Sequence, residues 1–85
     1  MKAVVAATDE LLASIAARAE TPDTLEDYLR NHLVAFREAA SEAKVGTEIE
    51  NAARSLSRFC TEHMDWNSDL FRQCAELIRR ARLAN

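Results

Sequence analysis

The sequence predicts an all-α protein, a small antiparallel bundle of four helices, and three observations carry that prediction. Alanine and leucine dominate the apolar residues and Glu and Arg the charged ones, with one glycine and one proline in 85 residues. These are strong helix formers with almost no breakers. Apolar side chains recur every three or four positions in four successive stretches. Capping residues and the two breakers fall between the stretches, which gives helices over about 3–19, 22–45, 48–64 and 68–83 with short connections. Short connections favour antiparallel neighbours.

The first stretch sets Val4, Leu11 and Ile15 at heptad-like intervals, with Ala7 and Thr8 filling the turn between. It holds few large side chains, so it is expected to be the weakest contributor to the core, packed across the other three helices or donated to a partner. Thr21-Pro22-Asp23 reads as the next helix start, with Thr21 as cap and Pro22 at the first helical position, where a missing N–H costs nothing. Asp23, Glu26 and Asp27 follow, at the end where the helix dipole favours negative charge. The second stripe is Leu25, Leu29, Leu33, Phe36, Ala40 and Ala43, the longest in the chain.

Gly46 is placed just past the end of that helix, since glycine takes the left-handed conformation without a Cβ penalty. Thr47 and Glu50 read as a capping box for the third helix, whose stripe is Ile49, Ala53, Leu56, Cys60 and His63, flanked by Ala52 and Phe59. The last turn is Asp65-Trp66-Asn67-Ser68, with Asn67 or Ser68 as cap. The fourth helix shows Leu70, Cys74, Leu77 and Ala81, widened by Phe71 and Ile78.

A chain of this size has material for a single domain, residues 1–85, with one core. At roughly 0.05–0.15 kcal/mol per residue its stability is about 4–12 kcal/mol. Pairing with a copy or a partner is a common supplement at this size. Fourteen carboxylates against 11 Lys and Arg give a net charge of −3, which argues against general nucleic-acid binding. The charge is unevenly spread: residues 1–50 carry ten acids and five bases, residues 51–85 six bases and four acids. Two cysteines and no secretory signal predict a reducing, cytoplasmic setting. Ala3-Val4-Val5-Ala6-Ala7 is too short for a signal core, and nothing approaches the ~20 apolar residues of a membrane span.

Few residue groups suggest chemistry. In an antiparallel hairpin of the last two helices, residues whose numbers add to about 134 lie level, which pairs Cys60 with Cys74 and puts His63 one turn from Cys60. Two thiolates and an imidazole suit a thiophilic metal, but a fourth ligand is missing. The competing reading makes the cysteines small buried hydrophobes and His63 a surface residue. A disulfide is not expected, because packed helix axes lie about 8–10 Å apart and the bond wants Cα atoms within about 7 Å. His32 lacks the Lys-Gly surround of a phosphotransfer histidine. A helix-turn-helix across Gly46 would aim Glu48 and Glu50 at phosphates. No serine sits in a glycine-framed elbow, so no enzyme activity and no cofactor are expected.

The remaining reading is a small cytoplasmic protein-protein interaction module of regulator, adaptor or inhibitor type, binding another protein or itself as a homodimer. Tyr28, Phe36, Trp66, Arg79, Arg80 and Arg82 are the candidate partner-binding residues, with Trp66 either an exposed anchor or a lid over the core. Two alternatives stand beside it. One is a nucleic-acid-associated regulator using Arg54, Arg58, Arg72, Arg79, Arg80 and Arg82; the other is a metal or redox sensor built on Cys60, His63 and Cys74.

Overall fold

In a computed structural model that describes residues 2–42 and 46–84, the chain forms four α-helices: α1 Lys2–Ala19, α2 Leu25–Glu42, α3 Gly46–His63 and α4 Asp69–Ala84. Contacts run α1 to α2, α2 to α3 and α3 to α4, and α1 meets α4 to close the ring. Pairings such as Arg37 with Asp9 and Arg82 with Glu50 join the start of one helix to the end of the next, as antiparallel neighbours require. Helices of 16 to 18 residues are about 24–27 Å long, which accounts for the long dimension of 33 Å.

The predicted stripes form most of the core, except that His63, placed on the α3 stripe, is exposed. Leu29, Leu33, Phe36 and Ala40 from α2 meet Ile49, Ala53, Leu56 and Cys60 from α3 and Cys74, Leu77, Ile78 and Ala81 from α4. Helix α1 corrects its expectation. It buries Val4, Thr8, Leu11, Ile15 and Ala19, and its contact with α2 is the most extensive in the bundle. Ala19 is buried and Ala7 packs against the core beside these residues, so few large side chains do not mean little packing. Thr8 is tolerated in the core because its hydroxyl donates to the Val4 carbonyl at 2.7 Å.

The start of α2 also differs from expectation. Pro22 is not its first residue. Asp23 turns the chain with φ at 61°, a conformation that Asp tolerates better than most residues. The helix therefore begins at Leu25 with Thr24 as cap. Thr24 Oγ accepts the Asp27 N–H at 3.2 Å, and the Asp27 carboxylate accepts the Asp23 N–H at 3.1 Å. This is capping-box logic moved three residues along.

The predicted end of α2 at residues 43–45, with Ala43 in its stripe, lies outside the described residues. Gly46 opens α3 rather than closing α2, so Thr47 falls inside the helix and not at its cap. Glu50 turns its carboxylate to Arg82 and Arg54. At α4 the expected cap is present: Ser68 Oγ accepts the Phe71 N–H at 3.1 Å, and Asp65 Oδ1 accepts the Asn67 N–H at 2.9 Å. No described helix is long and apolar enough to cross a membrane.

Candidate functional site

The α3/α4 seam carries a groove of about 380 Å³. Cys60, Phe71, Ala75 and Ile78 form its apolar lining, with Arg79, Arg82 and Leu83 also on its wall. Helical periodicity explains the set. Residues 71, 75, 78, 79 and 82 follow one side of α4, and 57, 60 and 61 one side of α3. At the Phe71 end Trp66 lies over the Phe71 ring, with centroids 6.4 Å apart and planes 29° apart. The indole N–H donates to the Thr61 carbonyl at 2.9 Å. Trp66 is thus held in place while 62% exposed, and at the other end Leu83 is 72% exposed. Exposed apolar side chains carry meaning where they join a contiguous apolar surface, and here Leu83 lines the groove and Trp66 stacks on Phe71 of its wall.

The charges around this seam form two triads. Glu76 accepts two hydrogen bonds from Arg79, at 2.6 and 2.9 Å, and one from Arg80 at 3.1 Å. Those bonds, Arg79 first and Arg80 second, hold its carboxyl down at about 2. Glu50 Oε1 lies 3.6 Å from Arg82 and 4.0 Å from Arg54. Each triad sets two guanidiniums against one carboxylate; Arg79 and Arg82 lie on the α3/α4 groove, whereas Arg80 of the Glu76 triad lies toward the α1/α4 seam. Arg72 and Arg58 are balanced one to one, by Asp69 and Glu62.

A second groove, of about 430 Å³, lies between α2 and α3 and is lined by Leu25, Tyr28, His32, Phe59 and His63. The Phe59 ring is flanked by both imidazoles, His32 at 4.7 Å and His63 at 5.1 Å between centroids. Burial, and then the nearby His63, push the His32 pKa below its ordinary value. Tyr28 donates to Asp23 at 2.9 Å; that bond to a carboxylate, followed by the carboxylate's charge, raises the phenol pKa. Ser55 Oγ sits 3.5 Å from His32 Nδ1, at the outer limit of a hydrogen bond. Both residues are in mid-helix, where neighbouring backbone N–H groups are spent on the helix. This pairing therefore has no backbone donors free to hold an oxyanion.

The sequence-predicted residues divide among several places. Arg79, Arg82 and, through Phe71, Trp66 come together on the α3/α4 groove. Arg80 faces the α1/α4 seam beside Glu10 and Ser14, and Tyr28 lies on the α2/α3 groove. Phe36 is withdrawn from the contact set: it is fully buried among the core leucines and offers a partner no surface. Cys60 and Cys74 do face one another. The Cys74 thiol bonded to Cys60 lowers the Cys60 pKa, while that same bond and burial raise the Cys74 pKa. Both are free and buried.

His63 is not with them. It is exposed, against Phe59 and 3.9 Å from Glu62. Among the described residues no three His, Cys, Asp or Glu side chains converge to hold a metal ion, so the expected three-residue constellation is not assembled. Sequence reasoning missed Phe59 as the residue joining the two histidines, and it missed Leu83. Compared with known proteins, the chain matches no family model, no curated protein and no solved structure.

Proposed function

We propose that this chain is a protein-protein interaction module of a reducing, cytoplasmic compartment, with no catalytic role, whose contact surface is the α3/α4 groove. The observation that carries the reading is the placement of Trp66 and Leu83. Of the two most exposed large hydrophobic residues described, Leu83 lines the apolar groove and Trp66 stacks on Phe71 of its wall. A groove between two helices with aromatic and aliphatic anchors is the geometry that receives an amphipathic helix. Tryptophan and arginine are the side chains most enriched where binding energy concentrates. The occupant is another protein or a second copy of this chain. The reducing compartment fits the two unlinked thiols.

A photo-crosslinking side chain at position 83 tests the reading, with the same group at position 34 as control. Val34 is also exposed but lies on α2, away from the groove. Adducts from 83 and none from 34 support the contact surface, and their mass distinguishes a second copy from a different protein. No adduct from 83, or equal adducts from both positions, refutes it.

A further inference from the structure

The groove's length, lining and charge restrict what can occupy it. From Phe71 to Leu83 it follows α4 for about 18 Å, a little over three helical turns. The partner element that matches is a single helix, with apolar side chains recurring along one face to meet Phe71, Ile78 and Leu83. Its flanks meet positive charge. Arg79 lines the groove and belongs to the Glu76 triad, and Arg82 lines it and belongs to the Glu50 triad. Arg79 and Arg82 are the charged side chains among the described residues that line the groove, and no carboxylate lines it with them.

We propose that the α3/α4 groove takes an acidic amphipathic helix from a partner protein, about 12 residues of it lying against α4. This rests on the reading of the groove as a contact surface and adds the chemistry of the partner. A second copy placed two-fold on the same groove presents the same wall lined by Arg79 and Arg82, and so offers these guanidiniums no acidic complement. Nucleic acid is disfavoured on other grounds. The lining is apolar where a phosphate backbone needs polar contacts.

Trp66 is the sole tryptophan, so its emission reports on this site in the intact protein. The probes are two synthetic helical peptides of about 16 residues with identical leucine stripes and no tryptophan. One has Glu at the flanking positions and the other Lys. A short DNA duplex is the third probe. The acidic peptide is expected to shift Trp66 emission to the blue and to bind at least about tenfold tighter than the basic one at low salt, with the gap closing as salt rises. Joint substitution Arg79→Glu and Arg82→Glu reverses the preference, with helicity checked by circular dichroism. Leu83→Asp, at an exposed position, weakens binding of the acidic peptide without unfolding the bundle.

Equal or tighter binding of the basic peptide overturns the proposal, as does binding of neither peptide. Tighter binding of the duplex overturns it in favour of nucleic acid. Self-association that Leu83→Asp abolishes overturns it in favour of a second copy. If the peptides fail while position 83 still crosslinks to a partner, the contact surface stands and only the acidic-helix assignment falls. If position 83 yields no adduct, the contact surface itself falls.

Discussion

Alanine substitution of three aromatic residues separates core from surface by magnitude. Phe36 is fully buried, whereas Tyr28 is 47% and Trp66 62% exposed. Phe36→Ala removes a whole ring from the centre of the bundle and leaves a cavity that surrounding helices close only in part, which costs about 3–5 kcal/mol. Trp66→Ala loses one stacked contact, worth about 0.5–1.5 kcal/mol, and one exposed indole hydrogen bond of about 0.5–1.5 kcal/mol. Part of that is returned by water, so about 1–2 kcal/mol is expected. Tyr28→Ala loses one exposed hydrogen bond to Asp23 and little packing, for about 0.5–1 kcal/mol. Against a total stability of about 4–12 kcal/mol, only Phe36→Ala brings the protein near unfolding. Urea titration followed by helical circular dichroism measures all three, since it does not depend on Trp66. A Phe36→Ala cost under about 2 kcal/mol, or a Trp66→Ala cost above it, refutes the assignment of Phe36 to the core and Trp66 to the surface.

Three further outcomes follow from described contacts. Thr24→Ala is expected to lower stability by about 1 kcal/mol through loss of the α2 cap, with Thr21→Ala costing clearly less in the same melts because its side chain caps nothing. The His32 pKa is depressed in the folded state, so folding disfavours its protonated form. The stability this gives is complete above the ordinary histidine value of about 6.5 and is lost as pH falls through the folded value. His32→Gln should flatten that acid-side loss in pH-dependent urea melts, and an unchanged profile counts against the site. Cys60 and Cys74, both buried, should react slowly with a thiol reagent in the native protein. Two thiols should titrate at once in denaturant; fast native labelling would show that the seam opens.

Much of the fold was legible because helical periodicity is a strong signal in a chain of good helix formers. Leu29, Leu33, Phe36 and Ala40 are buried as their spacing predicts, and the level rule for an antiparallel hairpin correctly put Cys60 opposite Cys74. The departures have local causes. Pro22 is a sound start signal, but Asp23 enters the left-handed region, and the cap passes to Thr24. Phe36 lies on the main stripe, and the stripe decides its position: a ring at that spacing is buried and cannot serve a surface. His63 shares a turn with Cys60 but projects to the α2 side of α3. The level rule applied about residues 45–46 pairs His32 with Phe59, and an i,i+4 step then reaches His63, so this cluster was within reach of the sequence. Leu83 gave no such signal, since only the packed bundle shows which end-of-helix leucine is left uncovered.

The ring of helices also has a kinetic consequence. Apart from the closing contact of α1 with α4, the extensive contacts join helices that follow one another in the chain. Little loop-closure entropy must be lost before such contacts form, and proteins of this topology fold within about microseconds to milliseconds. The α1–α2 and α3–α4 hairpins can each zip locally, leaving their docking as the late event. Substitutions at the α1/α4 seam, such as Leu11→Ala, should then raise the unfolding rate while leaving the folding rate nearly untouched.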